Sequence, residues 1–559
     1  MGQLNIQNLS VNFHSREGIV QAVNDIDLEI QEGEIVGLVG ESGSGKSVTC
    51  NSILQLLPCP PAEISQGAIH WTSKDLLKQK EQNMQQIRGK EISMIFQDPM
   101  SCLNPYLTVL EQVAEPLIIH NLATPEEAMQ QASDMLVEVG VDRIRTSPNS
   151  YPHEFSGGMR QRAMIAMALI TKPALLLADE PTTALDVTVQ AKILSILKEA
   201  CKKLKVSVLF VSHDLGLVAE LADRVVVMYR GKVIEQNDTN SLFRNPEHPY
   251  VKALIACRPT LENSSSRLPT VDDFINPGDS KPKAINSPPS SPPLIGRKIL
   301  VETKGLTVEF TSSDGKVRAV DEVNLAIREG STHGLVGESG SGKTTLGRSI
   351  LQLIKKTSGQ ILLHGLPIQE ESSLQKLHFR KSMQIIFQDP YASLNPRLTI
   401  EQTLIEPMTV HGIGKSKQDR KDRVIALLEE VGLNSEHLSR YPHQFSGGQR
   451  QRICVARALT TEPKFIVCDE CVSAMDVSVQ AQVLNLLKSL QESRGLTYLF
   501  ISHDLGVVKF MSDEISVMQN GKVVETGTAE AIYRDPQMEY TRKLIDAVPK
   551  ANRKAEFYS

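Results

Sequence analysis

Three kinds of short, mainly apolar run recur along the chain. EIVGLVG (34–40) and STHGLVG (331–337) each lead into a glycine-rich loop; ALLLAD (174–179) and KFIVCD (464–469) each end on a carboxylate; SVLFVSHD (207–214) and TYLFISHD (497–504) each close on Ser-His-Asp. Runs apolar at successive, rather than alternate, positions predict strands buried on both faces. Helical sequence separates them, as in MRQRAMIAMAL (159–169) and QRQRICVARAL (449–459). Strands alternating with helices predict α/β units built on a mostly parallel sheet with helices on both sides.

The pairing of these runs is an internal duplication. GESGSGKS from Gly40 recurs as GESGSGKT from Gly337, offset by 297; FQDP at Phe96 and FSGG at Phe155 recur at Phe387 and Phe445, offset by 291 and 290; Asp179-Glu180 recurs as Asp469-Glu470 and SHDLG at Ser212 recurs at Ser502, both offset by 290. Five ordered blocks at nearly constant spacing predict two copies of one domain. The first copy carries a few extra residues around Pro58 to Glu63. Between the copies the composition turns to Ser and Pro without helical or strand period, which predicts a linker. The expected organisation is a first domain over 1–258, a linker over 259–297 and a second domain over 298–559.

Composition narrows the function. With 41% hydrophobic residues the chain has enough apolar material for real cores, and a net charge of -5 with no long Lys/Arg block argues against nucleic acid as partner. No run of about 18 apolar residues predicts a membrane span, and the first residues lack the regions of a signal peptide, so a cytoplasmic chain is expected. Eight scattered cysteines fit reduced thiols rather than a disulfide framework.

The chemistry lies at the ends of the predicted strands. Gly40, Ser42, Gly43, Ser44, Gly45, Lys46 and Ser47, and again Gly337, Ser339, Gly340, Ser341, Gly342, Lys343 and Thr344, form phosphate loops between a strand and a helix. The glycines let backbone N–H groups face phosphate, the lysines reach the outer phosphates, and Ser47 and Thr344 are expected to ligate Mg²⁺. Asp179 and Asp469 are expected to hold the same ion; Glu180 and Glu470 are then placed as general bases for water. His213 and His503, each just past a strand, are expected to contact the γ-phosphate. Ser156, Gly157 and Gly158, and Ser446, Gly447 and Gly448, open helices and predict a second anion site in each copy. A domain that already cradles its own phosphate has no need of it, so it is expected to serve the other copy's nucleotide.

In this order the motifs resemble the ATP-binding-cassette (ABC) ATPases, over nearly the whole chain. The resemblance implies two tandem P-loop NTPase domains, each with a mostly parallel sheet core, an N-terminal antiparallel β subdomain and a helical signature subdomain. It makes FSGGM and FSGGQ the signature motifs, with Gln449 the fifth residue of the second. It places Gln97 and Gln388 on ATP and its Mg²⁺, makes TALD (183–186) and SAMD (473–476) the D-loops, and puts Phe13 and Phe310 against adenine.

Within that family DPMSCLNP, DPYASLNP, LFRNPEHPYVKALI and IYRDPQMEYTRKLI resemble the ATPases of oligopeptide/dipeptide-class importers. The fused arrangement resembles the ATPases of peptide and microcin C import, and also those of glutathione import; EQN (Glu235 to Asn237) and the EYTRKL run favour the former. The resemblance implies ATP hydrolysis coupled to uptake of peptide-like substrates. It implies two transmembrane permease subunits as partners, an external binding protein acting through them, and a peripheral place on the cytoplasmic face of the inner membrane. Met159 stands where the signature usually has Gln, and Cys471 and Met475 replace the usual Pro and Leu. Some relatives carry an iron–sulfur cluster beyond the core; Cys257 alone falls in the corresponding first region, so none is expected here. A soluble tandem ABC ATPase acting on ribosomes or DNA is the competing reading, opposed by the short Pro/Ser-rich linker and the lack of zinc-type cysteine groups.

Overall fold

The computed structural model describes residues 3–15, 18–98, 102–182, 187–261, 266–275, 296–312, 315–368, 373–473 and 475–548. Outside them lie part of the DPMSCLNP loop, the TALD segment, Ala474 of SAMD and most of the expected linker. The described residues divide into two compact units, one drawn from 3–182 and 189–255 and the other from 187–188 and 256–548.

In the first unit, β1 (Leu4–Ser15) pairs antiparallel with β2 (Gly18–Ile30) and, on its other side, with β4 (Ala62–Trp71), which carries β5 (Lys74–Asp75). The second sheet runs β10 (Lys232–Asp238), β9 (Arg224–Tyr229), β3 (Ile35–Val39), β8 (Ser207–Ser212), β7 (Leu175–Asp179), β6 (Ile92–Ile95). It is parallel except at β10, as the mainly apolar runs require. The second unit repeats both sheets. Its antiparallel sheet joins β11 (Ile299–Ser312), β12 (Gly315–Arg328), β14 (Ser358–Leu363) and β15 (Leu366–Pro367). Its core sheet runs β16 (Met383–Ile386), β17 (Phe465–Asp469), β18 (Thr497–Ile501), β13 (Thr332–Val336), β19 (Glu514–Gln519), β20 (Lys522–Thr528).

Leu4, Ile6, Leu9 and Val11 of β1 all point into the first unit's core, although their spacing breaks strict alternation. A bulge between Ile6 and Leu9 absorbs the extra residue, with Asn8 at φ 48. The second unit has Gly305 at φ 55 at the same place, between Thr303 and Leu306. The bulge brings β4 so close that a Cβ on Gly67 would lie 2.6 Å from the Leu9 Cα, so only glycine fits there.

Each unit adds a helical subdomain: Val109–Ile119, Pro125–Glu138 and Gly157–Leu169 in the first, and Ile400–Val410, Lys417–Glu430 and Gly447–Leu459 in the second. Capping boxes at Thr108/Glu111, Thr124/Glu127, Thr399/Gln402 and Ser446/Gln449 start four of these helices by satisfying their first N–H groups.

Part of the stretch expected to be linker is ordered against the second unit. Leu268 is fully buried, Lys509 Nζ donates to the Leu261 carbonyl, and Val271–Ile275 forms a short helix.

Candidate functional site

In both units the phosphate loop joins the central strand to a helix, Lys46–Ile53 after β3 and Lys343–Ile350 after β13. Gly45 and Gly342 cap these helices in the left-handed region, at φ 103 and 101, with no side chain bonded to the helix start. The first N–H groups of each helix therefore face the loop's concavity, where an anion satisfies them. A Cβ at Gly40 or Gly337 would lie 2.3 or 2.1 Å from a strand carbonyl, Met228 O or Met518 O, so these positions exclude side chains. Gly43 and Gly340 have open space beside them, and Ser42 and Ser339 are exposed on the same loops.

Lys46 is buried, its ammonium held by the Gly40 and Glu41 carbonyls at 2.8 and 3.0 Å. Lys343 repeats this with Gly337 and Glu338, both at 2.8 Å, and also reaches Ser341 Oγ at 3.4 Å. Among the described residues, the buried Ser44 Oγ has no hydrogen-bond partner. A pinned ammonium, an uncapped helix start and an orphaned buried hydroxyl are what a bound phosphate chain would complete.

From the loop a chain of polar contacts runs across the carboxyl edge of the sheet. Ser47 Oγ donates to Asp179 Oδ1 at 3.0 Å, and Thr344 Oγ1 to Asp469 Oδ1 at 2.8 Å. Burial pushes both aspartates above the ordinary carboxylate pKa, a shift that the hydroxyl donors oppose. Gln97 Nε2 donates to Glu180 Oε2 at 3.1 Å and Gln388 Nε2 to Glu470 Oε2 at 2.8 Å. His213 Nδ1 lies 3.3 Å from Glu180 Oε2, and His503 Nδ1 lies 3.6 Å from Glu470 Oε1. Burial alone would lower the His503 pKa; its hydrogen bond to Glu470 and the charges of Glu470 and Asp504 outweigh burial and raise it.

Both glutamates adopt φ near +50, at 47 and 48. Their N–H groups donate to the Val211 and Ile501 carbonyls at 3.0 Å, so the neighbouring strand holds this strained backbone in place. Asp214 and Asp504 cap the following helices through Gly216 and Gly506, which fixes the turns that carry His213 and His503.

Phe13 is half-buried against the core and pairs with Val20 across β1 and β2; Phe310 is 43% exposed and pairs with Val317. Val20 and Val317 are themselves well exposed. Two residues beyond Val20, the Ala22 carbonyl abuts Gly45, so each Phe–Val pair offers an apolar platform beside its phosphate loop that suits a base.

At the signature, Ser156 caps its helix by accepting from Met159 N, and Ser446 from Gln449 N, both at 3.3 Å. Gln449 Oε1 also accepts from Ser446 N at 3.1 Å; Met159 has no group to close that second bond. Gly158 and Gly448 are small because Val189 and Val479 pack there, whereas Gly157 and Gly447 face open space. Among the described residues, no hydrogen bond or ion pair joins the signature residues to the chain of contacts around the phosphate loop of their own unit.

Two participants went unread in the sequence. Glu41 N donates to Tyr250 Oη at 3.3 Å and Glu338 N to Tyr540 Oη at 3.1 Å, so the C-terminal helix of each unit braces its phosphate loop. Their occurrence in the paired HPY and MEY segments was the available signal. The other is Arg348, whose Nη2 lies 3.3 Å from Asp469 Oδ2.

Among the described residues no three His, Cys, Asp or Glu side chains gather as a metal cage. The hydroxyl–aspartate pairs suit a hard cation shared with phosphate oxygens, the usual manner for Mg²⁺.

The family model described as "ABC transporter" matches residues 23–183 and 320–473, and "Oligopeptide/dipeptide transporter, C-terminal region" matches 234–274 and 524–559. The glutathione import ATP-binding protein GsiA of Salmonella choleraesuis (strain SC-B67) is 43% identical over 98% of this chain and 90% of its own length. Its counterpart in Escherichia coli (strain K12) is 44% identical with the same coverage. A solved dimeric bacterial ABC transporter cassette, MJ0796, is 28% identical, covers 41% of this chain and 99% of its own, and has a TM-score of 0.38. The chain is an ATPase that belongs to the ABC transporter family, in its oligopeptide/dipeptide importer class.

Proposed function

We propose that this chain powers the uptake of peptides or peptide-like solutes, glutathione among them, through two transmembrane permease subunits fed by an external binding protein. The observation that carries the reading is that both units keep an intact Gln–Glu–His chain beside a phosphate loop braced by the importer-class C-terminal segment. No helix among the described residues is long and apolar enough to cross a membrane, and in this reading the partner subunits supply the span. A peripheral place on the cytoplasmic face of the membrane follows, with the surface beside Gln97 and Gln388 as the docking face. Tyr391 of DPYASLNP is 64% exposed and Tyr106, the residue after DPMSCLNP, is 86% exposed.

Mg²⁺ would be held by Ser47 and Asp179 with Gln97, and by Thr344 and Asp469 with Gln388. It would supply charge neutralisation to the outer phosphates. Glu180 and Glu470 then orient and deprotonate the attacking water, His213 and His503 hold the γ-phosphate, and the Phe13 and Phe310 platforms seat adenine. The signature residues Ser156 to Met159 and Ser446 to Gln449 are the groups by which each repeat completes the other's nucleotide.

The test is purification from membranes followed by uptake of a labelled dipeptide and of glutathione into vesicles carrying the chain with its permeases. ATP-dependent uptake lost in Lys46→Ala and Lys343→Ala supports the proposal. Recovery with ribosomes or DNA and no membrane subunit would sink it.

A further inference from the structure

The two units differ at the aspartate that faces the phosphate loop. Asp469 is nearly fully buried, and both of its oxygens are engaged: Oδ1 by Thr344 Oγ1 at 2.8 Å and Oδ2 by Arg348 Nη2 at 3.3 Å. Thr344 and Arg348 are four residues apart on the helix Lys343–Ile350, one turn, so they present to the same carboxylate. In the first unit the residue four beyond Ser47 is Asn51, which carries no charge. Among the described residues Asp179 accepts from the Ser47 hydroxyl and from no other side chain.

The pose of Arg348 is not that of a fully satisfied structural arginine. Among the described residues its buried Nε has no hydrogen-bond partner, while the side chain as a whole is 41% exposed. The guanidinium therefore has a route to solvent and a donor unused where it sits. A structural guanidinium normally spends its fork of donors on fixed acceptors.

We propose that Arg348 is a positioning residue for the divalent cation of the second unit: a resident positive charge on Asp469 that the cation has to displace, making this unit the weaker metal–nucleotide site of the pair. The inference rests on the reading of Asp469 and Asp179 as cation-facing carboxylates. A cation arriving at Asp469 meets a carboxylate whose outer oxygen is already taken, and a guanidinium that never loses its proton. It must break that contact and then bear the repulsion of the displaced charge until Arg348 swings outward. At Asp179 neither step arises. Because the pair is partly exposed, the difference is modest, about three- to tenfold in cation affinity.

The experiment uses the full chain with a non-hydrolysable ATP analogue and Mn²⁺ as probe, with free Mn²⁺ read by electron paramagnetic resonance. Two classes of bound Mn²⁺ are expected, one about three- to tenfold weaker. Arg348→Asn should bring the weak class up to the tight one, and Asn51→Arg should bring the tight class down. Arg348→Gln serves if Arg348→Asn fails to fold, and melting of each variant with and without nucleotide is the control. A single class in the wild type, or Arg348 variants that alter melting but not Mn²⁺ affinity, would overturn the proposal and leave Arg348 a structural ion pair. Lower affinity in Arg348→Asn would also overturn it, since the arginine would then be preparing Asp469 for the metal. No nucleotide-dependent Mn²⁺ in any variant would instead strike at the cation-facing reading itself.

Discussion

Asn485 closes a two-bond ring with the backbone of Leu268: Leu268 N donates to Asn485 Oδ1 at 2.9 Å, and Asn485 Nδ2 donates to Leu268 O at 2.8 Å. One side chain thus satisfies both polar groups of a residue whose own side chain is fully buried. Asn485→Ala leaves a donor and an acceptor without partners, which costs about 1–3 kcal/mol. Calorimetry should show the second unit melting about 2–6 °C lower. Ser195, at the equivalent place in the first repeat, donates to Glu199 at the surface, and Ser195→Ala should move melting by less than about 1 °C. Equal effects would mean that the segment around Leu268 contributes nothing to this unit's stability.

His333, buried in the second unit where the first repeat has Val36, is expected to make the second unit lose stability in acid. It is 2% exposed, and its Nε2 bonds Ser516 Oγ at 2.9 Å. Its Nδ1 has no hydrogen-bond partner; Glu514 Oε2 is the nearest opposing charge, at 3.9 Å. Burial depresses its pKa to about 4. Between that value and about 6.5 the unfolded chain takes up a proton that the folded one refuses. The stabilising contribution is thus complete above pH 6.5 and is lost as pH falls towards 4, by about 3 kcal/mol in all. The first unit has Val36 and Val226 at the corresponding strand positions. The double variant His333→Val, Ser516→Val should therefore flatten the fall in denaturant midpoint between pH 7 and pH 4.5. A fall as steep as the wild type's would remove His333 as its cause.

Tyr250 and Tyr540 test whether the C-terminal helices tune the phosphate loops. Phenylalanine keeps the ring, and in Tyr250 also the packing against Tyr229 at 4.2 Å between centroids, but removes the acceptor for Glu41 N or Glu338 N. One such bond contributes about 1 kcal/mol. Each Tyr→Phe variant should weaken ATP-analogue binding by up to about fivefold, measured by equilibrium titration, with melting of the free chain lowered by about 2 °C. Unchanged affinity would reduce the hydroxyl to a packing accessory.

The duplication, the strands and the motif residues were legible in the sequence because each is a local pattern: mainly apolar runs are buried parallel strands, and Gly-x-x-x-x-Gly-Lys describes its own loop. The bulge at Asn8 was less so, since Leu4, Ile6, Leu9 and Val11 share one face only once an extra residue is absorbed. The left-handed backbone of Glu180 and Glu470 is held by a neighbouring strand and leaves no mark in DE itself. Tyr250 with Glu41, and Asn485 with Leu268, are partners about 200 residues apart. No periodicity reports such pairs. Leu268 lies in a stretch whose Ser and Pro content reads as linker, although ten of its residues, 266–275, are described with the second unit. The resemblance to the ATPases of peptide and microcin C import rests on two short tail segments, whereas the Salmonella and Escherichia coli relatives bear the glutathione name.

The proposed general bases Glu180 and Glu470 test whether both repeats turn over ATP. Each accepts from its glutamine, lies against its histidine and sits beside its Ser/Thr–Asp pair, with no member of either set missing. Glutamine at 180 or 470 keeps the shape and an oxygen to accept the Gln97 or Gln388 amide, yet cannot take a proton from water. Loss of a positioned base lowers the chemical step by about 10²- to 10⁴-fold at that site. Each single Glu→Gln variant should therefore cut steady-state hydrolysis while retaining ATP binding, and the double variant should abolish it and hold ATP without releasing phosphate. Met159 removes only the second bond of a capping box, so Met159→Gln should change the rate by less than about twofold. Phosphate release and retained radiolabelled ATP, measured on the same preparations, read both quantities. If Glu470→Gln leaves the rate untouched while Glu180→Gln eliminates it, the second repeat is a regulatory nucleotide site. In that case Arg348 on Asp469, present there and absent from the first repeat, is the first residue to test as the reason.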